Sequence, residues 1–263
     1  MKNILNEICT YKKEVIRADK KLLTLEKLKI ATSLINSKSN FYSNITNNLQ
    51  KNKPAIIAEI KQKSPSQGIL KETIAIDKIA AAYKDGGACC ISVLTDEKYF
   101  QGANKYIHIA RKNSNLPILR KDFIIDEYQI YQAKHIGADA ILLIMSCLSK
   151  AQAKEYEALA NSLGLDVLVE SYNEEELINA LELKTKLIGI NNRNLKNLTT
   201  SLDNIKNLKK HLPEDKILIC ESGINSFSDY QTLRSWGLNC FLIGGYLMKQ
   251  NNISIALKEL MNN

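Results

Sequence analysis

The sequence has few of the residues that mark disordered chains, membrane proteins or exported proteins. Among 263 residues there are only 11 glycines and 4 prolines, too few for a long low-complexity region. No run of about 18 apolar residues occurs, so we expect no membrane-spanning helix. The first residues lack the charged and then apolar order of a signal peptide, and we therefore expect a cytoplasmic protein.

Metal-binding and redox motifs are also missing. The cysteines are Cys9, Cys89, Cys90, Cys147, Cys220 and Cys240. None belongs to a C-x-x-C pair and most lie in or beside apolar runs, so we interpret them as small core residues in a reducing compartment. The three histidines are far apart and fall in helical patterns. We expect neither a metal site nor a Cys-His dyad.

The formal net charge is +8, which admits two interpretations. The first is a surface that binds nucleic acid or anionic lipid. The second is ordinary lysines on helix surfaces, a few of which serve an anionic substrate. The excess is spread along the chain, as at Lys12-Lys13 and Lys209-Lys210, and no aromatic residues interleave with it. This pattern favours the second interpretation, and we expect no nucleic-acid or membrane partner.

Eight short apolar runs recur along the chain, and an amphipathic stretch follows each of them. The runs are Ile56–Ile60, Cys89–Leu94, Pro117–Leu119, Ala140–Ile144, Val167–Val169, Leu187–Ile190, Ile217–Cys220 and Cys240–Ile243. Runs that are apolar on both faces are typical of parallel strands covered by helices. Their alternation with helical patterns predicts an α/β fold, a (β/α)₈ TIM barrel, rather than an open sheet.

The N-terminal part does not follow this alternation. Residues 1–50 are rich in lysine and carry apolar residues at helical spacing, such as Leu22, Leu25 and Leu28. We interpret them as an N-terminal extension of one or two helices that covers one end of the barrel. Ser37–Lys53 is polar and is expected to be a loop with at most a short helix. We expect residues 1–263 to form a single domain, with the barrel at 54–263.

Charged and amide residues follow five of the apolar runs where each run ends. They are Glu59 and Lys61, Lys121, Glu170, Asn191 and Glu221. In barrels of this class, catalytic groups lie at the carboxyl ends of the strands. Charges that converge on one rim perturb each other's pKa values, as an acid/base enzyme requires.

Glycines follow the last two runs. Ser222-Gly223 precedes a helix whose expected N-cap is Ser226, and Gly244-Gly245 opens another short helix. Glycine lets backbone N–H groups approach an anion closely, and the loops after strands seven and eight are the usual phosphate site of these barrels. We therefore expect a small, anionic, phosphorylated substrate.

Several motifs together resemble one family, indole-3-glycerol phosphate synthase. They are Glu59-Ile-Lys61-Gln-Lys63-Ser64-Pro65-Ser66, Ser92 to Gly102, Leu119-Arg-Lys121-Asp122-Phe123, Leu168-Val-Glu170-Ser171, Gly189-Ile-Asn191-Asn192-Arg193 and Glu221-Ser222-Gly223. The resemblance covers roughly Pro54 to Met248, and an N-terminal helical extension is also typical of the family. The resemblance implies ring closure of 1-(2-carboxyphenylamino)-1-deoxyribulose 5-phosphate, with loss of carbon dioxide and water and without a cofactor or metal.

The resemblance also implies roles for single residues. Lys121 would be the acid of ring closure, with its pKa lowered by crowding with Lys61. Glu170 and Lys61 would serve as base and second acid in the dehydration, with Glu59 close by. Which lysine acts in which step stays open.

The remaining predicted residues would bind the substrate. Asn191 and Glu221 would orient its hydroxyls and amine, Arg193 would pair with the carboxylate that is lost, and Phe100 and Phe123 would hold the aromatic ring between them. Ser64, Ser222, Gly223, Gly244 and Gly245 would hold the phosphate. The family often has aspartate where this chain has Asn194, and a small polar or acidic residue where Gly245 precedes Tyr246. We expect Asn194 to change a hydrogen bond within its loop. Gly245 is expected to remove a side-chain contact to the phosphate.

Two other barrel functions compete with this one. The first is a sugar-phosphate isomerase such as phosphoribosylanthranilate isomerase, whose chemistry resembles enolisation by a Cys/Asp pair. This chain has Glu59 and Lys61 at the end of the first run instead, which argues against that function. A non-catalytic barrel that binds an anionic metabolite is expected to have lost Lys61, Lys121 or Glu170, and all three are present.

Overall fold

The computed structural model describes residues 4–262 and contains a closed barrel of eight parallel strands. The strands are β1 (Ala55–Ile60), β2 (Cys90–Leu94), β3 (Ile118–Lys121), β4 (Ala140–Ile144), β5 (Asp166–Ser171), β6 (Leu187–Asn191), β7 (Ile217–Glu221) and β8 (Cys240–Ile243). Each pairs with the next strand in the chain, and β8 pairs with β1 to close the barrel. The predicted (β/α)₈ barrel is confirmed, and each apolar run is one of its strands.

Helices precede the barrel and surround it. They are α1 (Ile4–Leu22), α2 (Leu25–Ser33), α3 (Phe41–Gln50), α4 (Ile76–Gly86), α5 (Glu97–Phe100), α6 (Lys105–Ser114), α7 (Glu127–His135), α8 (Lys150–Ser162), α9 (Glu174–Leu181), α10 (Asp203–Leu208), α11 (Phe227–Ser235), α12 (Gly245–Met248) and α13 (Ile253–Met261). The Ser226 side chain accepts a hydrogen bond from the Asp229 backbone N–H, so the predicted N-cap of α11 is confirmed. Within residues 4–262, no helix is long and apolar enough to cross a bilayer.

Alternate strand residues build two separate apolar layers. Ile57, Leu119, Leu142, Leu168 and Ile219 belong to the inner layer, which fills the barrel. Ile56, Ile91, Ile141, Val167 and Ile188 belong to the outer layer, which packs against the helices. Successive side chains of a strand point to opposite faces, so strands that are apolar at every position supply both layers.

The N-terminal extension has three helices, not the one or two predicted, and it contacts both ends of the barrel. In α1, Leu5 and Ile8 pack on the inner layer and line the cavity at the carboxyl ends of the strands. In α3, Phe41 and Ile45 are fully buried, and the Asn44 amide donates to the carbonyl of Cys89 just before β2. Ser37–Lys53 was predicted to be a loop with a short helix, and it contains the ten-residue helix α3. Burial of two side chains one turn apart stabilises this helix, whose sequence is otherwise polar.

Candidate active site

The predicted site residues all line one cavity at the carboxyl ends of the strands. The cavity contains Glu59, Lys61, Ser64, Phe100, Lys121, Phe123, Glu170, Asn191, Arg193, Glu221, Ser222, Gly223, Gly244 and Gly245. Every strand of a closed parallel barrel ends at the same rim, so side chains far apart in the chain converge there.

A cluster of buried charges lies in this cavity. Lys121 Nζ is 3.2 Å from Glu221 Oε2 and 3.5 Å from Glu170 Oε2. It is also 3.9 Å from Glu59 Oε2, whose other oxygen lies 2.5 Å from Lys61 Nζ. All three glutamates are buried. The Lys121 ammonium therefore contacts three carboxyl groups in a place that water reaches poorly, where charges interact strongly.

The expectation that crowding with Lys61 lowers the pKa of Lys121 was wrong. Burial by itself lowers this pKa, but the acidic groups of Glu221, Glu170 and Glu59 outweigh it and raise the pKa above its usual value. Three acidic neighbours count for more than one basic neighbour. Without substrate, Lys121 is therefore protonated at neutral pH.

Glu221 and Glu59 have opposite charge states although both are buried. Burial is the main cause that raises the pKa of Glu221, and Glu170 raises it further, whereas Lys121 lowers it. The resulting pKa is about 8. For Glu59, burial also raises the pKa, but the attraction of Lys61 and Lys121 is larger and holds it below its usual value. Neither oxygen of Glu221 has a hydrogen-bond partner of good geometry among the described residues. At neutral pH Glu59 is a carboxylate, whereas Glu221 is mostly protonated, with Lys121 Nζ 3.2 Å from one of its oxygens.

Asn191 connects two strands of the site. Its side-chain amide donates to Glu170 Oε1 at 2.8 Å, and its side-chain oxygen accepts from the Arg193 backbone N–H at 2.9 Å. The Arg193 side chain donates to the hydroxyl of Thr200 and lines the cavity. Asn191 thus fixes the orientation of Glu170, a catalytic candidate, and the start of the loop that carries Arg193, a candidate for substrate binding.

The two predicted phenylalanines form one wall of the cavity. The ring centroids of Phe100 and Phe123 are 6.1 Å apart and their planes are tilted by 38°. This distance lies within the roughly 4.5–7 Å typical of aromatic rings in direct contact. The prediction that they hold a substrate ring between them was therefore wrong for this conformation, since no space for a third ring separates them.

The loops after β7 and β8 meet the loop after β1. Ser222 and Gly223 have φ angles of 62° and 89°, so the chain turns sharply directly after Glu221. Ser64 is buried, and its hydroxyl accepts from the Gln67 backbone N–H at 3.2 Å. These residues form the part of the cavity where the phosphate was expected.

Gln67 was not predicted from the sequence. Its side-chain amide donates to Asn225 Oδ1 at 3.4 Å, and both residues line the cavity. A side chain at position 245 would lie 2.7 Å from Gln67 Oε1. Gly245 therefore leaves room for Gln67, whereas Tyr246 packs on the outer layer away from the cavity.

Two glycines make room for the glutamates. A Cβ atom at Gly189 would collide with the carboxyl group of Glu221, and one at Gly244 would collide with that of Glu59. Gly189 belongs to the motif Gly189-Ile-Asn191-Asn192-Arg193 but was not predicted as a site residue. A signal for it existed, because glycine inside a strand often marks the close approach of another group.

In the described part of the chain, histidine, cysteine, aspartate and glutamate residues do not gather into a metal site. Within residues 4–262, no group of three or more of them is placed to hold a metal ion. The absence of a cofactor and of a metal remains a prediction.

The fold resembles that of several solved structures. Thiamine phosphate pyrophosphorylase from Pyrococcus furiosus aligns with a TM-score of 0.58 and 13% identity over 82% of this chain and 96% of its own. N-acetylmannosamine-6-phosphate 2-epimerase from Clostridium perfringens aligns with a TM-score of 0.56 and 15% identity over 79% and 93%. At these identities the similarity supports the fold alone.

Sequence comparison is more specific. The profile of the family "Indole-3-glycerol phosphate synthase" matches residues 5–260. The protein of that name from Polynucleobacter necessarius subsp. necessarius (strain STIR1) is 46% identical over 267 aligned residues, covering 100% of both chains. The one from Azospirillum brasilense is 42% identical over 261 residues, covering 99% of this chain and 100% of its own. This chain belongs to the indole-3-glycerol phosphate synthase family.

Proposed function

We propose that this chain converts 1-(2-carboxyphenylamino)-1-deoxyribulose 5-phosphate into indole-3-glycerol phosphate, with loss of carbon dioxide and water, in tryptophan biosynthesis. The observation that carries the proposal is the contact of Lys121 with three buried glutamates. The same cavity holds an aromatic wall and glycine-rich loops, which suits a substrate with an aromatic ring at one end and a phosphate at the other.

Ring closure is assigned to Lys121. The aromatic carbon that bears the carboxylate attacks the ketone carbon, and the ketone oxygen gains a proton. The carboxylates around Lys121 keep it charged, so its ammonium stabilises the negative charge that develops on that oxygen and supplies the proton. Carbon dioxide then leaves, and the electron pair of the broken bond restores the aromatic ring.

Dehydration is assigned to Lys61 and Glu170. Lys61 gives a proton to the hydroxyl, which leaves as water, while Glu170 removes a proton from the new five-membered ring and a double bond forms. Asn191 donates to Glu170 at 2.8 Å and holds it in place. Glu59 contacts Lys61 Nζ at 2.5 Å and keeps that side chain in the cavity.

The other lining residues are assigned to binding. The protonated carboxyl of Glu221 and the amide of Asn191 orient the substrate's amine and hydroxyls, and Arg193 pairs with its carboxylate. Phe100 and Phe123 offer one aromatic face to its ring. The phosphate is assigned to Ser64, Ser222, Gly223, Gly244 and Gly245.

Turnover tests this proposal directly. We expect the purified protein, incubated with the carboxyphenylamino-deoxyribulose phosphate, to produce indole fluorescence. The variant Lys121→Met removes the ammonium, and we expect kcat to fall by about 10²-fold or more, while KM changes only a few-fold. Lys112→Met, on the exposed surface of α6, is the matched control and keeps full activity.

Two results would contradict the proposal. Folded wild-type protein that gives no indole product lacks the activity. A Lys121→Met variant with an undiminished rate shows that Lys121 is not the essential proton donor.

A further inference from the structure

Two cysteine thiols that are distant in the sequence meet at the mouth of the barrel. Cys9 lies in α1, and Cys147 ends the 3-10 turn Met145–Cys147 directly after β4. Their Sγ atoms are 3.6 Å apart, although 138 positions separate them in the chain. The expectation that all six cysteines are buried core residues was wrong for this pair, since both are partly exposed.

The two thiols have different reactivities. The hydrogen bond between the two thiols lowers the pKa of Cys9, an effect that burial opposes and the nearby Lys13 and Lys12 reinforce. The same hydrogen bond, together with burial, raises the pKa of Cys147. A partly exposed cysteine with a lowered pKa beside a second thiol is the arrangement in which a thiolate attacks an oxidant and its neighbour resolves the product.

We propose that Cys9 and Cys147 form a reversible disulfide that ties α1 to the barrel mouth when the protein meets a peroxide. The Cys9 thiolate attacks one oxygen of hydrogen peroxide, the O–O bond breaks, and the sulfur is oxidised to a sulfenic acid while the second oxygen leaves as water after gaining a proton. The Cys147 thiol then loses its proton as its sulfur attacks the sulfenic sulfur, the S–O bond breaks, and the hydroxyl takes up that proton and leaves as a second water. Two thiols and one peroxide thus give one disulfide and two waters.

The position of the pair gives the disulfide a consequence for the cavity. Ile4, Leu5 and Ile8 of α1 line the cavity, and so does Ile144, three residues before Cys147. A disulfide at this point joins two walls of the cavity and closes a loop of more than one hundred residues. To form it, the sulfurs must approach from 3.6 Å to about 2.05 Å.

The other cysteines provide a contrast. Cys89, Cys90, Cys220 and Cys240 are all buried, with at most 3% of their surface exposed. Burial raises the pKa values of Cys90 and Cys240 well above the usual range, so these thiols are poor nucleophiles. A peroxide is therefore expected to select Cys9 first.

Mass spectrometry of the full-length protein tests the disulfide without any substrate, so its result is independent of the proposed function. The protein is treated with hydrogen peroxide, alkylated with iodoacetamide and digested without reductant. We expect a mass loss of about 2 Da and one linked peptide pair containing Cys9 and Cys147, both reversed by dithiothreitol. The melting temperature of the oxidised form is expected to rise by about 5 °C.

Three variants make the test specific. Cys9→Ser and Cys147→Ser are each expected to give neither the linked peptides nor the rise in melting temperature, whereas Cys89→Ala keeps both. The proposal is overturned if peroxide-treated wild-type protein carries alkylated Cys9 and Cys147. It is equally overturned if Cys9 proceeds to a sulfinic acid while Cys147 stays a free thiol.

Discussion

Glu221 differs from Glu59 in the charge that it carries at neutral pH. Burial raises the pKa of Glu221 from 4.5 to about 8, so the folded protein holds this proton over a pH range in which the unfolded chain has lost it. The stabilisation from this proton is complete below about pH 4.5 and is lost as the pH rises to about 8. The residue thus favours the fold more in mildly acidic solution than in mildly basic solution.

The variant Glu221→Gln isolates this effect, because glutamine has nearly the same shape and does not titrate. We expect the free energy of unfolding of the wild type, relative to that of the variant, to fall by a few kcal/mol between pH 4.5 and 8. Urea unfolding of both proteins at several pH values measures it. A difference that stays constant across this range would show that Glu221 is an ordinary carboxylate in the folded state.

Gly189 determines where Glu221 can lie. A methyl group at this position collides with the Glu221 carboxyl group inside the barrel. We expect Gly189→Ala to lower kcat by at least about tenfold and to cost roughly 1–3 kcal/mol of stability, as overpacking of a core does. Gly237→Ala is the matched control.

Gly237 has a φ of 81° and its Cβ position is open, so alanine strains the backbone there without touching the cavity. We expect the control to lose stability and to keep its kcat. Steady-state kinetics and thermal unfolding separate the two effects. Equal kcat values in both variants would mean that the space beside Glu221 does not matter for catalysis.

Among the elements, α1 is coupled to the site by one buried cation. Lys12 Nζ lies 2.8 Å from both Asp96 Oδ2 and Asp122 Oδ1, and all three side chains are buried. Asp96 caps α5, the helix that ends at Phe100, and Asp122 directly follows Lys121. The N-terminal extension therefore neutralises two carboxylates that hold parts of the cavity in place.

Removal of this cation tests the coupling. Lys12→Met leaves the buried carboxylate of Asp96 without its cation, whereas Asp122 keeps Arg120, and we expect a loss of about 3–5 kcal/mol in the free energy of unfolding. We also expect a lower kcat/KM, because α5 and the segment after Lys121 lose a common anchor. Lys13→Met, one position along α1 and exposed, is the control. If the two variants unfold at the same urea concentration, the ion pairs do not stabilise the protein.

Over the whole molecule, the positive charge is dispersed. Several basic side chains form ion pairs with acidic residues on the surface, namely Lys20–Asp126, Lys29–Glu127, Lys150–Glu182, Lys154–Glu182 and Lys186–Asp215. Neighbouring charges of both signs produce only a weak field at a distance. This arrangement supports the expectation that the net charge of +8 does not serve nucleic-acid binding.

A filter-binding assay tests that expectation. We expect DNA and RNA to bind with a Kd weaker than about 0.1 mM at physiological salt, the weak limit of non-specific binding. Retention at micromolar protein that disappears steeply as salt is raised would contradict it and would identify a basic surface. The assay needs two salt concentrations and a single-stranded as well as a double-stranded probe.

Periodic packing explains how much of the fold could be predicted. The observed bounds of β4 and β8 equal the predicted ones, and helix α7 begins and ends where its pattern does. In these segments the buried side chains recur at the period of a helix or strand, and the same period is found in the apolar residues of the sequence. The bounds of helix α3 could not be predicted, because Phe41 and Ile45 are its two buried residues and they pack with residues of several strands that are distant in the chain.

The amino-acid sequence by itself determined the predicted site residues of the cavity, since each of them follows an apolar run or its motif and every run ends at the same rim, whereas the places of Gln67 and of Leu5 and Ile8 in α1 were evident only from the tertiary structure. Only the tertiary structure decided their charge states and free space. The pKa of Lys121 depends on the distances to carboxyl groups up to one hundred residues away in the chain. Likewise, the contact of Phe100 with Phe123 and that of Cys9 with Cys147 follow from the packing of segments that share no local pattern. Electrostatic and steric interactions depend on distance in space, and a linear pattern specifies that distance only within one helix or strand.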